Sequence, residues 1–253
     1  MGNDFPSALD IKLLALMLAV GMLVAHGIGR RLGERLSKDD RAKPSKLTDA
    51  STALLGLLLA FSFGMSISKH DQRRLAVVSD SNAIGDFYTC ATLLKEPTRS
   101  RLQAVIRQYA ELRLDLASGK ASSDRLDAAV AKFDQLHGQM TELAGEALSN
   151  GTPIAVPLTN TLNAVTSSQA SRLAAYRDRL PGNILALLLA SAILAAFLDG
   201  RAEGLHGSFD SAGMVSFILL VSLAVYVTLD LNNSEAGWIR ISQEPLQRLL
   251  SSM

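Results

Sequence analysis

The chain has one cysteine, Cys90, in 253 residues. An intrachain disulfide is therefore excluded, and the redox compartment cannot be read from thiols. Cys90 itself reads as a small apolar helix residue rather than a reactive thiol. An excess of charge of one sign is also missing: 25 basic against 24 acidic residues leave a formal charge of +1. Bulk charge thus points to no nucleic-acid partner and no acidic one. Histidine is scarce, with only His26, His70, His137 and His206. None has an acidic or cysteine partner at metal-ligand spacing, so no metal site is read. His26 is expected to snorkel at the end of an apolar run. Gly27-Ile28-Gly29 is followed by Arg-Arg-Leu-Gly but preceded by no strand, which argues against a phosphate loop. No serine lies in a nucleophile-elbow or Ser-x-x-Lys setting. The expectation is a protein without catalytic residues or cofactors. No stretch sustains a period-two alternation, so no sheet is expected either.

What the chain does have is four apolar runs, Leu13–Ile28, Ala50–Ile67, Ile184–Leu198 and Ala212–Leu229, none containing Asp, Glu, Lys or Arg. A helix needs ~20 mostly apolar residues to cross the hydrocarbon core. The runs are slightly short, but their helical flanks supply the rest. Lipid offers no hydrogen-bond partners, so such runs must be helices. The expected fold is all-α and integral to the membrane, with four transmembrane helices in two hairpins and a helical soluble bundle between spans two and three. The lipid bilayer is the first partner implied. Asp4 and Asp10 precede the first run and no small-x-small cleavage site follows it, so that run is expected to be a retained anchor.

Four segments are expected. Residues 1–68 form the first hairpin, with a connector at 29–48 carrying Arg30, Arg31, Arg35, Lys38, Arg41, Lys43 and Lys46. Residues 69–182 form the soluble bundle, continuous with span two as far as Leu94, before Glu96-Pro97. Within it Thr98 is a candidate cap, followed by an apolar stripe of Leu102, Val105, Tyr109, Leu112 and Leu116 up to Ser118-Gly119. Ser122 or Ser123 caps a helix carrying Leu126, Val130, Phe133, Met140 and Leu143. After Asn150-Gly151 comes a helix with Leu158, Leu162, Val165, Leu173 and Tyr176. Residues 183–230 form the second hairpin. Residues 231–253 form an amphipathic tail, along the membrane surface or against the soluble helices, with Trp238 and Arg240 as interfacial anchors.

Ionisable groups inside a bilayer usually mark function. None is fully embedded here: Asp199 and Asp230 fall at run ends and are expected to be solvated. In span two, Ser62 and Ser66 lie four residues apart, and Lys69 and Arg73 extend the same face as a charged mouth. The stripe is read either as small residues permitting close helix packing or as the lining of a water-filled path. Gly56, Gly64 and Gly29-x-x-x-Gly33 carry the same two readings.

The segment from Leu57-Leu58-Leu59-Ala60-Phe61-Ser62-Phe63 through Lys69-His70-Asp71-Gln72-Arg73-Arg74 to Ser81-Asn82-Ala83-Ile84-Gly85 resembles the bestrophin-like membrane family. So do Asp178-Arg179-Leu180-Pro181, leading into the third run, and Leu229-Asp230-Leu231 followed by Gly237-Trp238-Ile239-Arg240-Ile241-Ser242-Gln243-Glu244-Pro245-Leu246. The resemblance implies a bacterial four-span protein of the inner membrane, distantly similar to pentameric anion channels whose second span lines the pore. It implies a homo-oligomer passing small ions, with Leu57, Phe61 and Gly64 at an apolar neck and Ser68 near its exit. Two features depart from the channels. Asp71-Gln72-Arg73-Arg74 stands where they carry aromatics, and their acidic calcium clasp has no counterpart. Charge in the short first connector favours connectors inside and the bundle outside, whereas the resemblance implies a cytoplasmic bundle. The alternative function is a non-conducting sensor or scaffold that signals through a separate partner, since no kinase, cyclase or methyl-accepting segment follows the fourth run.

Overall fold

The computed structural model describes residues 8–35, 46–118, 123–207, 210–233 and 238–253. Lys38, Arg41, Lys43, Gly119, Ser122 and Gly237, and the side chain of Leu126, lie outside the described residues. Among those described there are eight helices and no strand: α1 (Ala8–Glu34), α2 (Lys46–Thr92), α3 (Thr98–Ser118), α4 (Ser123–Ser149), α5 (Ala155–Arg177), α6 (Gly182–His206), α7 (Ser211–Asn232) and α8 (Glu244–Ser252). The all-helical expectation therefore holds. Four stretches are long and apolar enough to cross a membrane: Ile11–Glu34, Lys46–Thr92, Ala155–His206, whose apolar part is α6, and Ser211–Asn232. The 47 residues of α2 make a helix ~70 Å long, and it stops just before the Glu96-Pro97 pair expected to end it.

The chain divides into two compact units. The first comprises Met1–His70 and Arg179–Arg240. Its core joins Ile11, Leu18 and Met22 of α1, Leu55 of α2, Leu188, Ala192 and Ala196 of α6, and Val221, Val225 and Leu229 of α7. Few positions of the apolar stretches face this core. Leu16, Leu23, Leu194, Leu219 and Leu220 are among many large apolar side chains left exposed. In water such a surface would be a liability; in lipid it is the solvated face.

Helices α1 and α6 run parallel and converge toward their C-terminal ends. The α6 face toward α1 shrinks from Leu188 to Ala192, Ala196, Gly200 and Gly204, while α1 offers Met22, Ala25, Gly29 and Gly33. A Cβ at Gly29 would collide with the Phe197 carbonyl, at Gly33 with that of Arg201, at Gly200 with that of His26, and at Gly204 with that of Arg30. Gly29-x-x-x-Gly33 is thus a packing element between α1 and α6, met by a second one, Gly200-x-x-x-Gly204. Small residues at four-residue spacing let backbones approach where lipid supplies no hydrophobic drive for helix association.

Asp230 corrects an expectation. It is buried rather than solvated, and its two carboxylate oxygens accept the backbone N–H groups of Trp238 and Ile239, each at 3.0 Å. Asn232 beside it accepts the Leu180 N–H at 2.7 Å. Replacing Asp230 with Ala strands two donors, so Asp230→Ala is expected to cost about 1–3 kcal/mol, read as a lower melting temperature in detergent.

The second unit comprises Asp71–Asp178 and Ile241–Met253. Phe87 and Ile84 of α2, Leu102, Ile106 and Tyr109 of α3, Leu136 and Met140 of α4, Leu158 and Val165 of α5, and Leu246 of α8 form its core. The Tyr88 hydroxyl donates to the Met253 carbonyl at 2.9 Å, which ties down the chain end. The expected stripes hold at Leu102, Tyr109, Phe133, Met140, Leu143, Leu158 and Val165 and fail at Val130 and Leu173, which are exposed. On α5 the inward face continues through Ser168 and Arg172 instead. Thr98 is not the cap of α3: its hydroxyl donates to Glu146. Glu96 takes that role, accepting from the Ser100 hydroxyl at 2.8 Å and the Ser100 N–H at 3.2 Å. The Ser100 and Arg99 hydrogen bonds hold the Glu96 carboxyl below its usual range.

Candidate functional site

At about 100° per residue, Ser62 and Ser66 fall on one side of α2, and Leu57, Phe61, Gly64 and Ser68 on the other. The structure keeps the two groups apart. Ser62 and Ser66 are buried within the first unit, and neither hydroxyl oxygen has a hydrogen-bond partner among the described residues. Ser66 borders a cavity of about 10 Å³ lined also by Leu180, Leu185, Val225, Thr228 and Asn232. That is near the least volume a single water occupies.

The opposite face is open. Leu57 is 54% and Phe61 65% exposed. Gly64 and Ser68 are exposed, and nothing lies within 4 Å of a Cβ built at Gly64. Lys69 is half-buried at the end of this stretch.

Arg73 is fully buried in the second unit. Its guanidinium donates to the Ala175 carbonyl at 3.1 Å and the Asp178 carbonyl at 2.8 Å, filling acceptors at the C-terminal end of α5. Trp238 is 86% exposed, and Arg240 is exposed as well.

Two polar constellations escaped the sequence reading. In the second unit, fully buried Asp80 of α2 accepts Arg172 Nη1 at 2.8 Å and the Ser168 hydroxyl at 2.9 Å, with Arg113 Nε at 3.6 Å. Arg172 Nη2 donates to Gln243 at 3.2 Å. The Arg113 guanidinium covers the Phe133 ring at 4.6 Å and donates to the Tyr109 hydroxyl at 2.9 Å. Burial pushes the Tyr109 phenol above its ordinary range, and Arg113 opposes that in part. One carboxylate thus links four helices and the segment before α8. In the first unit, His26 of α1 faces Asp199 and Glu203 of α6, and these three are the group of potential metal ligands found among the described residues. His26 is buried, 3% exposed, so it does not snorkel into water as expected. The carboxylates lie more than 170 positions further along, and local spacing carries no trace of the pairing.

No curated protein and no solved structure matches the chain. A family model describing the Bestrophin-like domain matches residues 15–246, nearly the whole chain and all four candidate spans. The chain therefore belongs to the bestrophin-like family and is a multi-pass membrane protein.

Proposed function

We propose that the protein is a non-enzymatic, homo-oligomeric ion channel of the bacterial inner membrane in which the outward face of α2 lines the pore. The observation carrying this reading is the stripe Leu57, Phe61, Gly64, Ser68, which none of the described residues of its own unit covers. Around a symmetry axis, Leu57 and Phe61 form apolar rings that gate by dewetting, while Gly64 and Ser68 leave a wider, partly polar exit. Lys69 follows at the mouth. Ser62 and Ser66 serve packing rather than conduction in this arrangement, and Arg73 holds the end of α5. Family membership supports the channel class. The parallel course of α1 and α6 supports two hairpins with a helical bundle inserted between them: spans one and three then cross in the same direction, and both connectors share one side.

The single native cysteine makes the test clean. In a Cys90→Ala background, Leu57→Cys, Gly64→Cys and Ser68→Cys proteins in liposomes are expected to lose ion flux when treated with a charged thiol reagent. Ser62→Cys and Ser66→Cys are expected to be unaffected. Phe61→Ala is expected to raise conductance several-fold by widening the neck. Silence of the wild-type protein at every pH and voltage, or a response at Ser62 and Ser66 with none at Ser68, overturns the assignment. A silent protein that co-purifies with a stoichiometric partner would favour the sensor or scaffold reading.

A further inference from the structure

The His26 cluster goes beyond the channel reading and does not rest on it. His26 Nε2 lies 3.4 Å from Glu203 Oε2 and 3.7 Å from Asp199 Oδ2. The three ligand atoms fall within 4.8 Å of one another. His26 Nε2 and Glu203 Oε2 are both buried, and neither has a hydrogen-bond partner among the described residues. Buried polar atoms are rarely left so. The spacings exceed the ~2.7–3.2 Å of an N–H···O bond. They suit atoms sharing an ion: tetrahedral ligands ~2.1 Å from a metal stand about 3.4 Å apart.

We propose that His26, Asp199 and Glu203 bind a first-row divalent transition ion of the zinc class, with one coordination position open to water. Charge supports this. A neutral imidazole and two carboxylates sum to −2, which a divalent ion cancels at a place where uncompensated carboxylates are costly. Donor chemistry selects the class, because an imidazole favours zinc, iron or nickel, whereas calcium and magnesium take all-oxygen sets. The scaffold is built for it. Asp199 and Glu203 are four apart on α6, hence on one face. Gly200 lies between them, and its missing Cβ lets the His26 backbone close against α6. The other carboxylate oxygen of Glu203 accepts the Asp210 N–H at 3.4 Å, which orients the ligand. The Asp199 side chain is 41% exposed and gives an ion a way in from water. Arg30, one turn from His26, is paired with Glu34 at 3.1 Å. The ion would clasp the C-terminal ends of α1 and α6.

The test uses the full-length chain in detergent, stripped with EDTA and titrated with Co²⁺ while its visible absorption is recorded. About one equivalent per chain is expected, with the intense bands of a four- or five-coordinate site, displaced by Zn²⁺ but not by Ca²⁺. His26→Ala and Glu203→Gln are each expected to weaken binding by at least about 10–100-fold. His137→Ala and His206→Ala are expected to leave it unchanged. Glu203→Gln preserves shape, so it remains readable if His26→Ala fails to fold. Binding that survives either ligand substitution marks an adventitious ion only and overturns the proposal. So does displacement by Ca²⁺, or the absence of any Co²⁺ site.

Discussion

Asp80→Ala is expected to destabilise the second unit by about 3–5 kcal/mol. The reason is that the substitution removes one carboxylate and strands two guanidiniums. Asp80 is fully buried, and the Arg172 and Arg113 side chains are only 8% and 11% exposed. Neither arginine has another carboxylate within reach among the described residues. Arg172 keeps Gln243 and the Tyr176 face, and Arg113 keeps the Tyr109 hydroxyl and the Phe133 face. Removing one partner of a buried pair costs far more than the net worth of the pair, because the remaining charge is desolvated without compensation. Thermal melting followed by circular dichroism should show an early transition. Asp80→Leu combined with Arg172→Met should recover part of the loss, since both buried charges of the closest pair are then gone. A double variant no more stable than Asp80→Ala would argue against the ionic explanation, and a single variant as stable as wild type would remove it.

Gly200→Leu should prevent α1 and α6 from packing and cost about 3 kcal/mol or more. Overpacking costs ~1–3 kcal/mol where side chains yield. Here the obstacle is the His26 carbonyl, a backbone group that no rotamer change moves. The helices must separate along their most intimate contact, and the Gly29 approach to Phe197 is lost with it. Gly27→Leu is the control. Nothing lies within 4 Å of a Cβ at Gly27, so Gly27→Leu should be neutral or stabilising by up to about 1 kcal/mol, since leucine is the better helix former. The comparison is read as detergent-stable yield and melting temperature. Equal behaviour of the two variants would show that the close approach contributes little. Since Gly200 also sets His26 against Asp199 and Glu203, Gly200→Leu should abolish the Co²⁺ spectrum as well.

The membrane-spanning character was legible in the chain itself. An uncharged apolar run of this length has few fates, and backbone hydrogen bonding in lipid leaves only the helix. The long helix α2 was equally plain, because nothing between Ala50 and Glu96 terminates a helix and Pro97 does. The family was carried by order and spacing of local segments, which need no tertiary contact to be seen. Residues such as Leu102, Met140 and Leu158 announced their burial through periodicity.

Partnership at a distance was not legible. Val130 and Leu173 fit their stripes and face outward; Ser168 and Arg172 break the apolar pattern and face inward. A helix presents every side chain at the same period, and only a neighbour decides which face is covered. Asp80 and Arg172, 92 positions apart, are unremarkable surface charges until α5 lies against α2. The same holds for the two faces of α2. Ser62 and Leu57 both belong to one apolar run, and hydropathy does not say which side of it a neighbouring helix covers. Packing of α6 and α7 buries the serine side and leaves Leu57, Phe61, Gly64 and Ser68 open. His26 is the sharpest case. Its sequence neighbourhood offers no acid, and the convergence of two glycine-lined helices brings it two. Local chemistry therefore determined solvent, helix and family, which are properties of contiguous residues. The inward and outward faces, the buried ion pairs and the His26 cluster were decided by tertiary structure, because each is a contact between segments that the chain keeps far apart.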